Sequence, residues 1–253
     1  MDIKPKYFHF AYEDSMKIFQ NLIPCPDAII KCYTEYEGKL KKPDLFGKTV
    51  RVTKHQIPDL YHKVKNFAEK ADIDVPQVFL YDDFYYGVQA KGTENPRIEI
   101  SAKTVADFSD EEFNFLLARE MCRIKHKMVK WTFVGEQYFD MLEKAQGIPG
   151  VETASKSLQM VYAYWRRLAD YTADCYGYDT VADIRPCVKA IVTLVLNNIS
   201  LANQVNIREY ISQASDIYMM DDLVYRYSQN DEKIPYGPLR IKNLLSYAAK
   251  SVM

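Results

Sequence analysis

Every stretch of two-residue alternation in this chain falls before residue 102, and almost everything after it repeats with helical period. Residues 49–53 (Thr-Val-Arg-Val-Thr) alternate and predict a strand. Residues 77–81, 85–90 and 97–101 predict three more, with the Gly-Thr-Glu-Asn-Pro run at 92–96 as the turn between the last two. Ile57, Leu60, Tyr61, Val64 and Phe67 recur at helical spacing between the first two strands, and Pro58 suits the first turn of that helix. Beyond 101, helices are predicted from a cap at Ser109, over 131–146, 152–178, 184–200, 204–227 and 239–250, with breaks at 147–150 and 235–238. A small early sheet followed by a helical body is an α+β arrangement in one domain, residues 1–253. Within it, 1–45, punctuated by Pro24, Pro26 and Pro43, is expected to be a helical and irregular extension, and 46–253 the core.

Composition narrows the class of function. Hydrophobic residues make up 48% and charged residues 26%, so the chain can bury a core and remain soluble. The net charge is −1 and no basic block stands out, which disfavours nucleic acid as a partner. The longest apolar run, 190–196, stops at Asn197 and Asn198, far short of the roughly 20 residues of a membrane span. The first ten residues lack the apolar stretch of a secretory signal. Cys25, Cys32, Cys122, Cys175 and Cys187 are odd in number and form no C-x-x-C pair, the pattern of reduced thiols in a cytoplasmic protein.

The chemistry-bearing segment lies just after Ser109-x-x-Glu112, a capping box placed before Phe113, Leu116, Leu117 and Met121. Residues 119–123, Arg-Glu-Met-Cys-Arg, therefore fall inside a helix. They have the frame H-E-x-x-H with arginine at both histidine positions. Residues four apart share a helix face, which lets two imidazoles grip one zinc ion. Guanidinium groups cannot, because they stay protonated and offer no lone pair.

The chain resembles the HtpX-like and CAAX-prenyl-protease-type zinc endopeptidases, peptidase family M forty-eight, over about residues 47–250. Residues 47–53 with Ile57, Pro58, Leu60 and Tyr61 resemble that family's first strand and helix, and residues 75–80 its next strand. Residues 116–126, Leu-Leu-Ala-Arg-Glu-Met-Cys-Arg-Ile-Lys-His, are similar to its active-site helix L-L-A-H-E-L-G-H-I-K-H. Arg167-x-x-Asp170-Tyr-x-Ala173-Asp174 is similar to its R-x-x-E-Y-x-A-D, and Pro238, Arg240, Ile241 and Leu244 match its terminal pattern more loosely.

The resemblance implies a zincin-like (gluzincin) fold, with Glu120 at the general-base position. Arg119, Arg123 and Asp170 occupy the three metal-ligand positions, and Asp174 stands in support behind them. The departures gather at the chemistry while scaffold positions are kept, which is the pattern of a pseudopeptidase. No zinc and no other cofactor is expected. Arg119 and Arg123 are instead expected to pair with Glu120, Asp170 or Asp174 and join two helices without metal. The implied function is a catalytically inactive metallopeptidase-like protein that binds or regulates a peptide or protein partner, an active peptidase subunit among the candidates. Residues Tyr85, Tyr86, Gly87, Val88, Gln89 and Ala90 stand where the family's substrate-binding edge strand lies. The alternative is a zinc endopeptidase with an atypical metal site, for which Cys122, His126 and Cys175 would have to converge near Asp174.

Overall fold

The structure, a computed structural model, describes residues 5–32, 38–145, 151–219 and 235–251. Three helices come first, α1 (Tyr12–Leu22), α2 (Pro26–Cys32) and α3 (Gly38–Lys48). Strand β1 (Val50–Val52) and helix α4 (Pro58–Ala71) lead to β2 (Gln77–Tyr81), β3 (Val88–Lys91) and β4 (Arg97–Ser101). The rest is helical: α5 (Ala102–Asp107), α6 (Asp110–Lys125), α7 (Met128–Lys144), α8 (Val151–Val181), α9 (Ile184–Leu196), α10 (Ile199–Ala202), α11 (Ile207–Met219) and a last helix, here α12 (Gly237–Ser251). The fold is α+β, with a small mixed sheet.

The sheet runs β1-β2-β4-β3, so β1 and β3 are its edges. β2 and β4 are parallel, whereas β1 and β3 run antiparallel to their neighbours. The register aligns Val52, Val78, Ile98 and Ala90 in one row across all four strands. All four are buried, and with Ile100 they pack on Leu60, Val64 and Phe67 of α4 and Phe113, Leu116 and Leu117 of α6. On the opposite face Phe79 meets Phe46 of α3 edge-on, ring centroids 5.9 Å apart.

A second apolar cluster forms around α1, α7 and α8. Phe19 stacks on Trp165 at 5.1 Å, and Tyr162 and Phe139 close around them. Of the expected 1–45 extension, helix α1 packs into this cluster. Tyr12, Met16 and Phe19 are buried in this cluster, because the apolar face of α1 needs α8 to cover it.

The expected strand at 85–90 is also displaced: β3 covers only 88–91. Tyr85, Tyr86 and Gly87 lie outside it because side chains elsewhere claim their backbone. Tyr86 N donates to Asn197 Oδ1 at 2.8 Å, Gly87 N to Thr104 Oγ1 at 2.8 Å, and Tyr85 N to Asp83 Oδ1 at 3.2 Å. The single helix expected over 184–200 is two, because Asn197 turns left-handed and Asn198 caps α10. The predicted break at 147–150 and the end of the predicted 204–227 helix lie outside the described residues.

Candidate functional site

Helix α6 starts as its sequence signals. Ser109 Oγ accepts from Glu112 N, and the Glu112 carboxylate accepts from Ser109 N. The helix then crosses α8 between the two apolar clusters, and the crossing is close. A Cβ on Gly177 would stand 2.7 Å from the Phe115 ring and 3.1 Å from Arg119 Cγ. Arg119, Glu120 and Arg123 of α6 meet Asp170 and Asp174 of α8 at this crossing, with Arg240 of α12 arriving from the far side.

One carboxylate oxygen, Asp170 Oδ1, accepts from both arginines: from Arg119 Nη2 at 3.2 Å, and from Arg123 Nη2. Arg119 Nε lies 2.5 Å from Asp174 Oδ1, a close ion pair whose angle is not that of a hydrogen bond. Asp174, fully buried, takes a two-pronged contact from Arg240, Nε to Oδ2 at 2.9 Å and Nη2 to Oδ1 at 2.8 Å. Arg123 Nε sits 3.7 Å from Glu120 Oε1. Burial alone would raise the Asp170 carboxyl, but Arg123, then Arg166, Arg119 and Arg240, outweigh it and hold it down at about 2. Burial likewise opposes the Arg123 charge, and Asp170 and Glu120 reverse the effect and raise its pKa.

Glu120 is nearly fully buried, and its Oε2 accepts from the backbone N–H of Ala90 at 2.8 Å. Gly87 O accepts from Ser101 N, so 87, 89 and 91 face β4 and the N–H and C=O groups of Val88 and Ala90 point to the free edge. The carboxylate of Glu120 therefore covers one donor of the edge strand. Of the residues expected along that strand, Val88, Gln89 and Ala90 border the site. Tyr86 is drawn off by Asn197 and Asp107, Gly87 by Thr104, and the Tyr85 amide by Asp83.

A cleft of about 440 Å³ opens beside β3, walled by Gln89 and Lys91, by Thr132 and Glu136 of α7, and floored by Arg123 and Arg166. Arg166 was not singled out in the sequence, since Arg167 carries the recognisable motif. Its neighbour in the helical repeat, Asp170, was the available signal: i, i+4 places both on one face. A larger hollow of about 1110 Å³ lies away from this crossing, lined by exposed charges such as Asp72 and Lys127 and by Lys130 and Glu94, which pair at 3.1 Å. It contains none of the buried ionic residues of the crossing.

The residues at the crossing do not fit zinc. Two of the three expected ligand positions hold guanidiniums, and Asp170 Oδ1 already serves both of them. Nor do Cys122, His126 and Cys175 converge on a replacement site. Cys122 is buried in the α1–α8 cluster, His126 Nε2 is bonded to Tyr7 Oη at 2.8 Å, and Cys175 Sγ is 3.8 Å from Asn243 Nδ2. Among the described residues, no group of three or more His, Cys, Asp or Glu side chains is placed to hold a metal ion. Among them too, no helix is long and apolar enough to cross a membrane.

No family model matches the chain, and neither does any curated protein or solved structure.

Proposed function

We propose that this chain is a zincin-like, HtpX-related pseudopeptidase that binds an extended peptide or protein segment without hydrolysing it. The observation that carries the reading is Asp170 Oδ1 shared by Arg119 and Arg123, at the helix crossing where the resemblance puts zinc. Two guanidiniums there supply the positive charge that a metal would, and they tie α6 to α8 in its place. Glu120, at the general-base position, has an N–H of β3 on one oxygen and Arg123 beside the other, so both oxygens are engaged by the protein. The β3 edge bordering the cleft supports strand addition as the binding mode, through Val88 and the carbonyl of Ala90.

Incubation of the full chain with casein or unstructured peptides, with and without added zinc, is expected to leave them intact. Elemental analysis after chelator-free purification is expected to find no stoichiometric zinc. A photocrosslinker at exposed Gln89 is expected to capture extended peptides, and one at Arg51 on the opposite edge is not. Proteolysis that copurifies with the chain and disappears in Glu120→Gln overturns the reading.

A further inference from the structure

The charges at the crossing do not balance. Arg119, Arg123, Arg166 and Arg240 are four cations against the three carboxylates of Glu120, Asp170 and Asp174. The one without a direct pair is Arg166, which acts on Asp170 only through space. It is 7% exposed, and among the described residues no carboxylate comes within salt-bridge distance of it. Its one hydrogen bond runs from Nη1 to Thr132 Oγ1 at 2.6 Å, and its Nε–H has no acceptor. Arg123 Nε–H, 3.7 Å from Glu120 Oε1, makes no hydrogen bond either. A buried guanidinium with an unmade hydrogen bond is costly unless an anion completes it. Both groups floor the cleft beside β3.

We propose that this cleft binds the carboxylate of a peptide, held by Arg166 with Arg123 beside it. The inference rests on the peptide-binding reading and names the group recognised. The Nε–H groups are enclosed, so the oxygens of a carboxylate in the cleft would meet Nη–H donors of Arg166. The charge balance selects a monoanion: one cation is in surplus on the floor, and Glu136 at the wall opposes a second negative charge. Lys91 and Arg97 at the rim are already paired with Glu99, at 2.6 and 2.7 Å. The carboxylate can be a chain end or an acidic side chain, and both present the same two oxygens.

The test uses the full chain and two pools of N-acetylated hexapeptides, one ending in the free acid and one in the carboxamide. Retained peptides are identified by mass spectrometry. The free-acid pool is expected to be retained about tenfold better or more, the effect of one charge-assisted hydrogen bond. Retained carboxamides are expected to be enriched in Asp and Glu if acidic side chains also serve. Arg166→Gln is expected to bring the two pools to parity, and Arg166→Lys, which keeps the charge but not the planar pair of donors, to lose most of the preference.

In parallel, the Arg166 Nε–H resonance, assigned by its loss in Arg166→Lys, is followed with benzoate, benzamide and inorganic phosphate. Benzoate alone is expected to shift it. Equal retention of acid and amide by the wild type overturns the carboxylate site and leaves peptide binding standing. If neither pool is retained, the peptide reading fails; the site then stands if benzoate shifts Arg166 and falls if it does not. A phosphate response exceeding that of benzoate overturns the monoanion assignment. If Arg166→Gln does not fold, the wild-type pools and the benzoate titration decide.

Discussion

Arg240 grips Asp174 with both prongs of its guanidinium, at 2.9 and 2.8 Å, and so fastens the last helix to the C-terminal part of α8. Both side chains are buried, Asp174 completely. Breaking a buried pair by removing one partner leaves the other without compensation. Arg240→Met is expected to cost about 3–5 kcal/mol of stability, measured by denaturant unfolding. The close ion pair from Arg119 to Asp174 makes the lower end of that range the expected one. A loss below about 1 kcal/mol, the level of an exposed pair, would contradict the burial.

Asp170 sets an acid limit on the fold. Its folded pKa, about 2, lies below the unfolded value of 3.8. A depressed carboxylate adds stability that is fully present above the unfolded pKa and is lost as pH falls through the folded one. The window is therefore from about pH 4 down to about pH 2, and the contribution is roughly 2 kcal/mol. Asp170→Asn is expected to be destabilised by about 3–5 kcal/mol at neutral pH and to lack that acid step. Unfolding curves of both proteins across pH 2–6 check it; parallel profiles would refute the shared pairing.

His126 ends α6, where a cation is ordinarily favoured by the helix dipole. Its pKa is nevertheless lowered from 6.5 to about 4, first by burial and then by Lys125. Tyr7 bonds its ring, and Phe8 stands edge-on at 4.7 Å. A histidine with a depressed pKa adds stability above about 6.5 that is lost as pH falls toward 4. The residue 7–12 segment is therefore expected to loosen over that interval. Hydrogen exchange of those amides, with a ring titration of His126 by NMR, reads it directly; a midpoint near 6.5 would refute the buried placement.

Gly177 fixes how closely α6 and α8 approach. In an exposed helix, Gly→Ala gains about 1 kcal/mol. Here the added methyl meets the Phe115 ring at 2.7 Å, so overpacking wins and Gly177→Ala is expected to cost about 1–3 kcal/mol net. Loosening of the Arg119 contacts should accompany it, seen as faster exchange in α6. A stabilised variant would mean that the helices yield without cost.

Local signals were legible in residues close together along the chain. The capping box at Ser109 and Glu112, Pro58 in the first turn of α4, and the alternation of 97–101 each act over a few residues, so the sequence alone located those elements. The i, i+4 spacing likewise put Arg119 and Arg123 on one face of α6, and a second repeat put Asp170 and Asp174 on one face of α8. The partners of those faces depend on contacts between residues far apart in the chain. Phe19 finds Trp165 and draws α1 into the core, Asn197 takes the Tyr86 amide and shortens the third strand, and Thr132 holds Arg166 over a cleft that neither helix forms by itself. Spacing along a helix specifies which side chains point together; packing between helices decides which charges meet directly, and among the described residues Arg166 meets no carboxylate within salt-bridge distance.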